Sequence, residues 1–433
     1  MPVELLQQVR AIDPVSQLDQ VVDVLLEDGL ILAINPDPSA HPEAVTRQDC
    51  QGLILGPGLV DLHSHSGEPG YESRETLETL AAAALAGGFT QVAILPDTTP
   101  PADTAAVIHW LRDRCACPVG PEFHLWGALT RPAADGGEVM ADLADLAAAG
   151  VIGFSDGRPL NNLVLLDRLL RYGRPLQLPT MLWARDRNLG TDASVYDGAE
   201  ALRLGLVSSP IAAESSALAA AIECIAEVNG PVHLMRISTA RGVELIRIAK
   251  RRGLPITAST TWMHLLCDSR HIDGRVPLPG SDRAASPYDA SLRLAPPLGN
   301  AVDRRALLDG LRDGTLDAIA IDHTPHTYEE KNVAFGAAPP GAAGFEFALP
   351  LLWHCLVETG ELTALQLWQY LSAAPARCLG REPAAIAVGQ PSELVLFDPN
   401  RPWAVEASAL KSRSANTPWL GCTLRGQVMN VWR

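Results

Sequence analysis

The sequence predicts an α/β chain: a (β/α)8 TIM barrel with a small β-sheet domain built from both chain ends. Three observations lead there. From Gly58 to Asp322, short apolar runs alternate with Ala/Leu-rich stretches of helical period, the signature of strand–helix repeats. Strand-like segments stand at both ends, outside that alternation. The 433 residues are 47% apolar, enough for one large core and an accessory one. The expected boundaries are 1–55 and 386–433 for the two parts of the small sheet, with 56–385 for the barrel.

Residues 20–34, QVVDVLLEDGLILAI, read as a hairpin whose turn is Glu27-Asp28-Gly29, because Asp-Gly supplies the positive φ that tight hairpins need. Segments 4–12 and 50–55 extend this sheet. The barrel strands are expected at 58–63, 89–95, 123–129, 150–155, 175–182, 231–237, 254–258 and 317–322. Helices are expected at 72–87, 138–149, 160–172, 215–229 and 241–252, where apolar residues recur at three and four and Gly often closes the segment. Residues 268–300 are polar and rich in Pro, Gly and Arg. They form a long loop between the last two strands, on the side where barrels build their sites. A helical region at 360–380 follows, and then QPSELVLFDP and LGCTLRGQVMNVWR read again as strands.

The net charge of −16 argues against a nucleic-acid or anionic-membrane surface. No apolar run approaches the roughly 18–20 residues that span a bilayer. The opening MPVELLQQVRAIDP has neither a basic start nor an apolar signal core, so a cytoplasmic protein is expected. The eight cysteines form no disulfide-like framework, and the one close pair, Cys115 and Cys117, has no second pair or nearby histidine to complete a metal site. Lysine is confined to Lys250, Lys331 and Lys411, none on a plausible barrel strand.

Chemistry concentrates at the C-terminal strand ends, where barrel enzymes place their catalytic groups. His63 and His65, in GPGLVDLHSHSGEPG, end strand one with the i, i+2 spacing that points both to one side. Asp156 follows strand four in GFSDGRP, and Asp322 ends strand eight in AIAIDHTPH. Two imidazoles and two carboxylates are a sufficient ligand set for one Zn²⁺ or similar ion. The bland alternative for the two histidines is a packed or surface pair.

These segments resemble the dihydroorotases, cyclic amidohydrolases of pyrimidine biosynthesis, and among them the bacterial class I form with an aspartate bridge. The likeness rests on PGLVDLHSHSGEPGYE, AAAALAGGFTQVAILPDTTP, GVIGFSDGRP, STARGVELIRIAKRRGLPITA, YDASLRLAPPL and DGTLDAIAIDHTPHTYEEK. GFEFALPLL, SAAPARCLG, SELVLFDP and NTPWLG carry it to the C-terminus. The resemblance implies that His63, His65, Asp156 and Asp322 hold the first metal, with Asp322 as general base toward metal-bound water. The family's D-D-G has become Ser155-Asp156-Gly157, which displaces the Asp156 assignment by up to one residue.

The second metal's ligands are missing. No histidine lies between 125 and 232, and the family's H-V-S-T reads Arg236-Ile237-Ser238-Thr239. No second metal is expected. His233 is expected to be packed on the opposite strand face. A guanidinium about 4 Å from a divalent ion is repelled by roughly 8 kcal/mol at an effective dielectric near 20. Arg236 therefore either pairs with Asp156 as a fixed cation replacing the second metal, or neutralises the leftover carboxylates with no metal bound. The family's substrate-carboxylate clamp, an arginine and two asparagines, maps to Gly67, Asp97 and Ser291, so a clamp arginine is lost and a negative charge is added. His264, in TTWMHLL, matches a structural family histidine. For the run from His323 and His326 to Glu329, Glu330 and Lys331, loop capping is preferred over substrate or partner contacts.

Three functions follow from the resemblance. The first is a single-metal hydrolase of dihydroorotate or carbamoyl aspartate. The second is a non-catalytic assembly partner of aspartate transcarbamoylase, and the third is a hydrolase of another, non-anionic cyclic amide. The altered residues favour the second. A homo-oligomer is expected, with no nucleic-acid or membrane partner.

Overall fold

The computed structural model describes residues 3–37, 45–116, 120–133, 138–190 and 193–433. Eight parallel strands run side by side in chain order: Leu59–Ser64, Phe89–Ile94, Glu122–Gly127, Gly153–Phe154, Thr180–Leu182, Val232–Leu234, Ile256–Thr261 and Ala318–Ala320. They are called strands one to eight below. Strand four is shorter than its apolar run, and so is strand five, where the chain first forms a 3₁₀ turn at Arg174–Leu176. Strands one and eight close the circle through single bonds: Asp322 N donates to His63 O at 3.2 Å and His65 N to His323 O at 2.9 Å. Asp61 reinforces the seam, its Oδ1 accepting from Ile321 N at 2.8 Å and its Oδ2 from Ser64 Oγ at 2.5 Å. Burial pushes this carboxyl up to about 7.

The apolar alternation along each strand sorts into two cores. Val60, Leu62, Ala93, Trp126, Met181, Met235 and Ala320 fill the barrel lumen. Their neighbours Leu59, Val92, Leu125, Phe154, Leu182, Val232 and Ile319 face the helical ring. The helices begin where capping chemistry dictates. Thr76 caps Leu77–Ala86, Asn162 caps Leu163–Gly173 and Thr239 caps Ala240–Arg251.

The chain ends build a separate antiparallel-rich sheet of seven strands, in which Leu394–Ala404 joins the N-terminal strands by pairing with Ile54–Pro57. The expected hairpin turn is there, with Asp28 and Gly29 both at positive φ (50° and 77°). Residues 268–300 are packed down, with Ile272 and Leu278 buried and Trp419, whose Nε1 donates to Pro279 O, stacked on Trp262. Among the described residues, no helix is long and apolar enough to cross a membrane. Cys117 lies outside the described residues, and Cys115 is a free thiol.

Candidate functional site

At the C-terminal strand ends a cavity of about 290 Å³ opens, lined by His65, Asp97, Trp183, Arg236, Trp262 and Asp322 among others. A guanidinium lies at its floor. Arg236 Nη2 and Nε donate to Asp322 at 2.5–3.1 Å, gripping both carboxylate oxygens. Arg236 Nη2 also reaches His65 Nε2 at 3.0 Å, and Nη1 donates to Gly157 O at 2.9 Å. The face of Trp183 lies 4.6 Å from the guanidinium carbon, a cation–π contact. With 4% of its surface exposed, Arg236 is as buried as a core residue.

The local chain is built to hold it there. Arg236 leaves strand six at φ 58°, and Asp322 leaves strand eight at φ 52°, both in the left-handed region that non-glycine residues avoid. Such backbones cost on the order of 1–3 kcal/mol each and persist when the surroundings over-determine them. Just beyond Arg236, the buried Glu214 carboxylate accepts from the N–H and hydroxyl groups of Ser238 and Thr239. That fixes the turn from which the guanidinium projects.

The hydrogen bonds assign the tautomers. Because Arg236 can only donate, His65 Nε2 accepts, and His65 Nδ1–H donates to Asp97 Oδ2 at 2.5 Å. His63 Nδ1 donates to Asp322 Oδ1 at 3.1 Å, which leaves Nε2 unprotonated, buried and without a partner. Burial, together with the charge of Arg236, lowers the His63 pKa against the pull of Asp322. Burial alone would raise Asp322, but the charge of Arg236 and the His63 hydrogen bond hold it far below the usual carboxylate range. A carboxylate so held is a weak base. Partial desolvation opposes ionisation of Asp97, whose side chain is still 41% exposed, but the His65 hydrogen bond and the Arg236 charge outweigh it, so Asp97 is also held low.

Several expected residues are placed elsewhere. Asp156 does not join the histidines. Its carboxylate turns to the loop after strand three, accepting from Leu129 N (2.8 Å), Thr130 N (2.9 Å) and Thr130 Oγ1 (2.6 Å). The strand-four loop contributes only the Gly157 carbonyl, and Arg236 pairs with Asp322 rather than with Asp156. Ser291 sits in a buried 3₁₀ turn, Ala290–Leu292, and lines a different cavity. Asp97 does line the central cavity, but its charge is engaged by His65.

At Gly67 the space for a side chain is closed: a Cβ would lie 2.1 Å from Glu75 O and 2.6 Å from Tyr71 O. His233 faces the lumen, not the outer face, because Arg236 has already stepped off the strand. Its ring nitrogens bond Thr257 Oγ1 and Ser259 Oγ, both at 2.8 Å. His264 is tied to Thr261 Oγ1 at 2.7 Å and to Pro296 O at 3.1 Å. In the run after Asp322, Glu330 grips Arg74, His323 stacks on Phe345, and Lys331 donates to Ala290 O and Pro339 O.

Trp183, Arg74 and Asp61 were not singled out by the sequence. The position of Trp183 at the end of strand five was the available signal.

The lone pairs decide whether a metal fits. The His65 Nε2 lone pair is taken by Arg236, both Asp322 oxygens are engaged, and Asp156 faces away. Of the four expected ligands, only His63 offers an unengaged atom, Nε2. Among the described residues, no group of three or more His, Cys, Asp or Glu is disposed to hold a metal. The expected four-ligand set is not assembled, and a divalent ion does not fit beside the guanidinium.

His233 and His264 make the fold acid-sensitive. Burial pushes their pKa values down to about 3 and about 4, against 6.5 for the ordinary side chain. As pH falls below 6.5 the unfolded chain takes up these protons first. Stability is therefore full above about pH 6.5 and is lost progressively toward pH 4, each group adding up to about 1.4 kcal/mol per pH unit. Urea midpoints between pH 7.5 and 4.5 should decline. A flat profile would show that these histidines protonate in place.

The architecture defines the fold class, a (β/α)8 barrel with a β-sheet domain built from the chain ends. The fold matches L-hydantoinase from Arthrobacter aurescens with a TM-score of 0.83, at 21% identity over 99% of this chain and 95% of that one. It matches dihydropyrimidinase from Brevibacillus agri with a TM-score of 0.78, at 20% identity over 99% and 93%.

The dihydro-orotase-like family matches residues 52–240 and the amidohydrolase family residues 200–432. A probable dihydroorotase-like protein of Synechocystis is 39% identical over 98% of both chains, and a dihydroorotase of Pelobacter propionicus is 38% identical over 98% of this chain and 96% of its own. The chain belongs to the dihydroorotase-like branch of the amidohydrolase family. Its members are generally metal-dependent hydrolases, and it is against that background that Arg236 stands out.

Proposed function

We propose that this chain is a cytoplasmic, dihydroorotase-like protein of pyrimidine biosynthesis that no longer opens a cyclic amide, and that it serves as a non-catalytic assembly partner of aspartate transcarbamoylase. One observation carries the loss of hydrolysis: the Arg236 guanidinium holds Asp322 and His65, the groups a hydrolytic metal would need. The closed backbone at Gly67 supports it, since the substrate carboxylate has no clamp there. The partner follows from the family resemblance, which includes inactive members that pair with that transcarbamoylase.

The test is metal content and turnover on the purified full-length chain, with co-purification against the transcarbamoylase of the same organism. The expected result is less than a tenth of an equivalent of zinc, no ring opening of dihydroorotate, and a stable complex. Near one equivalent of metal with measurable turnover would establish the single-metal hydrolase instead. Turnover of an uncharged cyclic amide such as a hydantoin, without turnover of dihydroorotate, would establish the third reading.

A further inference from the structure

The cavity that receives Ser291 holds about 720 Å³, and Ser286, Asp289, Thr327, Tyr328, Lys331 and Arg413 are among its lining residues. Lys331 is one of only three lysines in the chain, and it is held unlike the other two. Lys250 pairs with Asp317 at 2.7 Å, and Lys411 is exposed. Lys331 is mostly buried, and among the described residues no carboxylate lies within ion-pair distance of its amine.

The neighbouring carboxylates are committed elsewhere. Glu330 grips Arg74 and accepts from Thr327 N at 2.9 Å, closing the capping box of the turn Tyr328–Lys331. Asp289 Oδ1 accepts from Ser291 N at 2.8 Å. What the Lys331 amine meets instead is two backbone carbonyls, Ala290 O at 3.0 Å and Pro339 O at 2.7 Å. Two acceptors match a neutral amine, which has two N–H donors and keeps one lone pair. An ammonium has three donors and would bring a full charge into this wall without a counter-ion.

Burial favours the neutral form. It lowers Lys331 to about 7, against 10.5 for the ordinary side chain; the charge of Arg293 adds to the effect, and Asp289 and Glu330 oppose it. His326, lowered to about 4 by burial and by the charge of Lys331, is a further titratable neighbour. At pH 7 about half of the molecules then carry the free amine, compared with fewer than about one in a thousand for an ordinary lysine.

We propose that Lys331 is a nucleophilic amine that binds a small aldehyde or ketone from this cavity as an imine. The lone pair attacks the carbonyl carbon and forms the C–N bond, and the two amine hydrogens leave with the carbonyl oxygen as water. Hydrolysis reverses the step, so neither oxidant nor reductant is consumed. Once protonated, the imine can donate to Pro339 O, the nearer of the two carbonyls. The site does not depend on the reading of Arg236, on any metal or on the transcarbamoylase.

The test is reductive trapping on the folded full-length chain at pH 7.0. The chain is incubated with millimolar propanal or glyoxylate and cyanoborohydride, and the three lysines are then followed by peptide mass mapping. Lys331 should be alkylated at least tenfold faster than Lys250 or Lys411 with one or both carbonyl compounds. In the urea-unfolded chain that preference should vanish, because it depends on the cavity wall. The other two lysines serve as internal controls, so no variant that could fail to fold is needed. Labelling of Lys331 no faster than that of Lys411 in the folded chain with both compounds, or a preference that persists in urea, overturns the proposal. Metal content and ring-opening activity are untouched by either outcome, so failure here leaves the proposed function standing.

Discussion

Arg236→Met is expected to destabilise the protein by about 3–5 kcal/mol, the usual cost of removing one partner from a buried ion pair. The loss comes mainly from what the variant leaves behind. Asp322 keeps its buried position and its left-handed backbone, and it retains only His63 as a partner. His65 Nε2 and the Gly157 carbonyl lose their donor at the same time. Asp322→Asn should cost less, because the asparagine carbonyl can still accept from Arg236 and the uncompensated charge is then a cation partly stabilised by the face of Trp183. Urea unfolding of the three proteins at pH 7.5 measures both differences. A Met variant within 1 kcal/mol of the parent would mean that the ion pair contributes little net stability.

Arg236→His should have a different and larger effect on composition. It removes the competing cation and restores an imidazole at the end of strand six. It also frees the lone pairs of His65 and Asp322, so that with His63 Nε2 up to four nitrogen and oxygen donors converge, a sufficient set for zinc. After equilibration with zinc and removal of excess, elemental analysis should find close to one equivalent in the variant and less than a tenth in the parent. Dihydroorotate hydrolysis is not expected to return with the metal, since the closed backbone at Gly67 still excludes a carboxylate clamp. Equal zinc in both proteins would show that the guanidinium does not bar the ion.

The fold was legible because barrel strands and helices announce themselves by apolar period and caps. Every expected barrel strand coincides with an observed one. That residue 236 brings a positive charge to the strand ends was legible too, from the R of R-I-S-T. Its partner was not. Whether it would choose Asp156 or Asp322 depends on where the Ser155-Asp156-Gly157 loop turns its carboxylate, and three donors from Leu129 and Thr130 decide that. Those donors are remote in sequence from Arg236. Trp183 escaped notice for a related reason: an aromatic side chain at a strand end reads as core until the guanidinium beneath it is placed. Ser291 matches a clamp position only through the likeness of YDASLRLAPPL to the family, and a local 3₁₀ turn takes it to another cavity.

The turn that fills the space beside Gly67 has a consequence for redesign. The carbonyls of Tyr71 and Glu75 stand where the first carbon of any side chain at 67 would lie. A single Gly67→Arg change would therefore meet backbone rather than an empty slot. Building an anion clamp at this position requires the 71–75 segment to be recast together with the arginine, whereas new contacts elsewhere around the barrel mouth need only side chains.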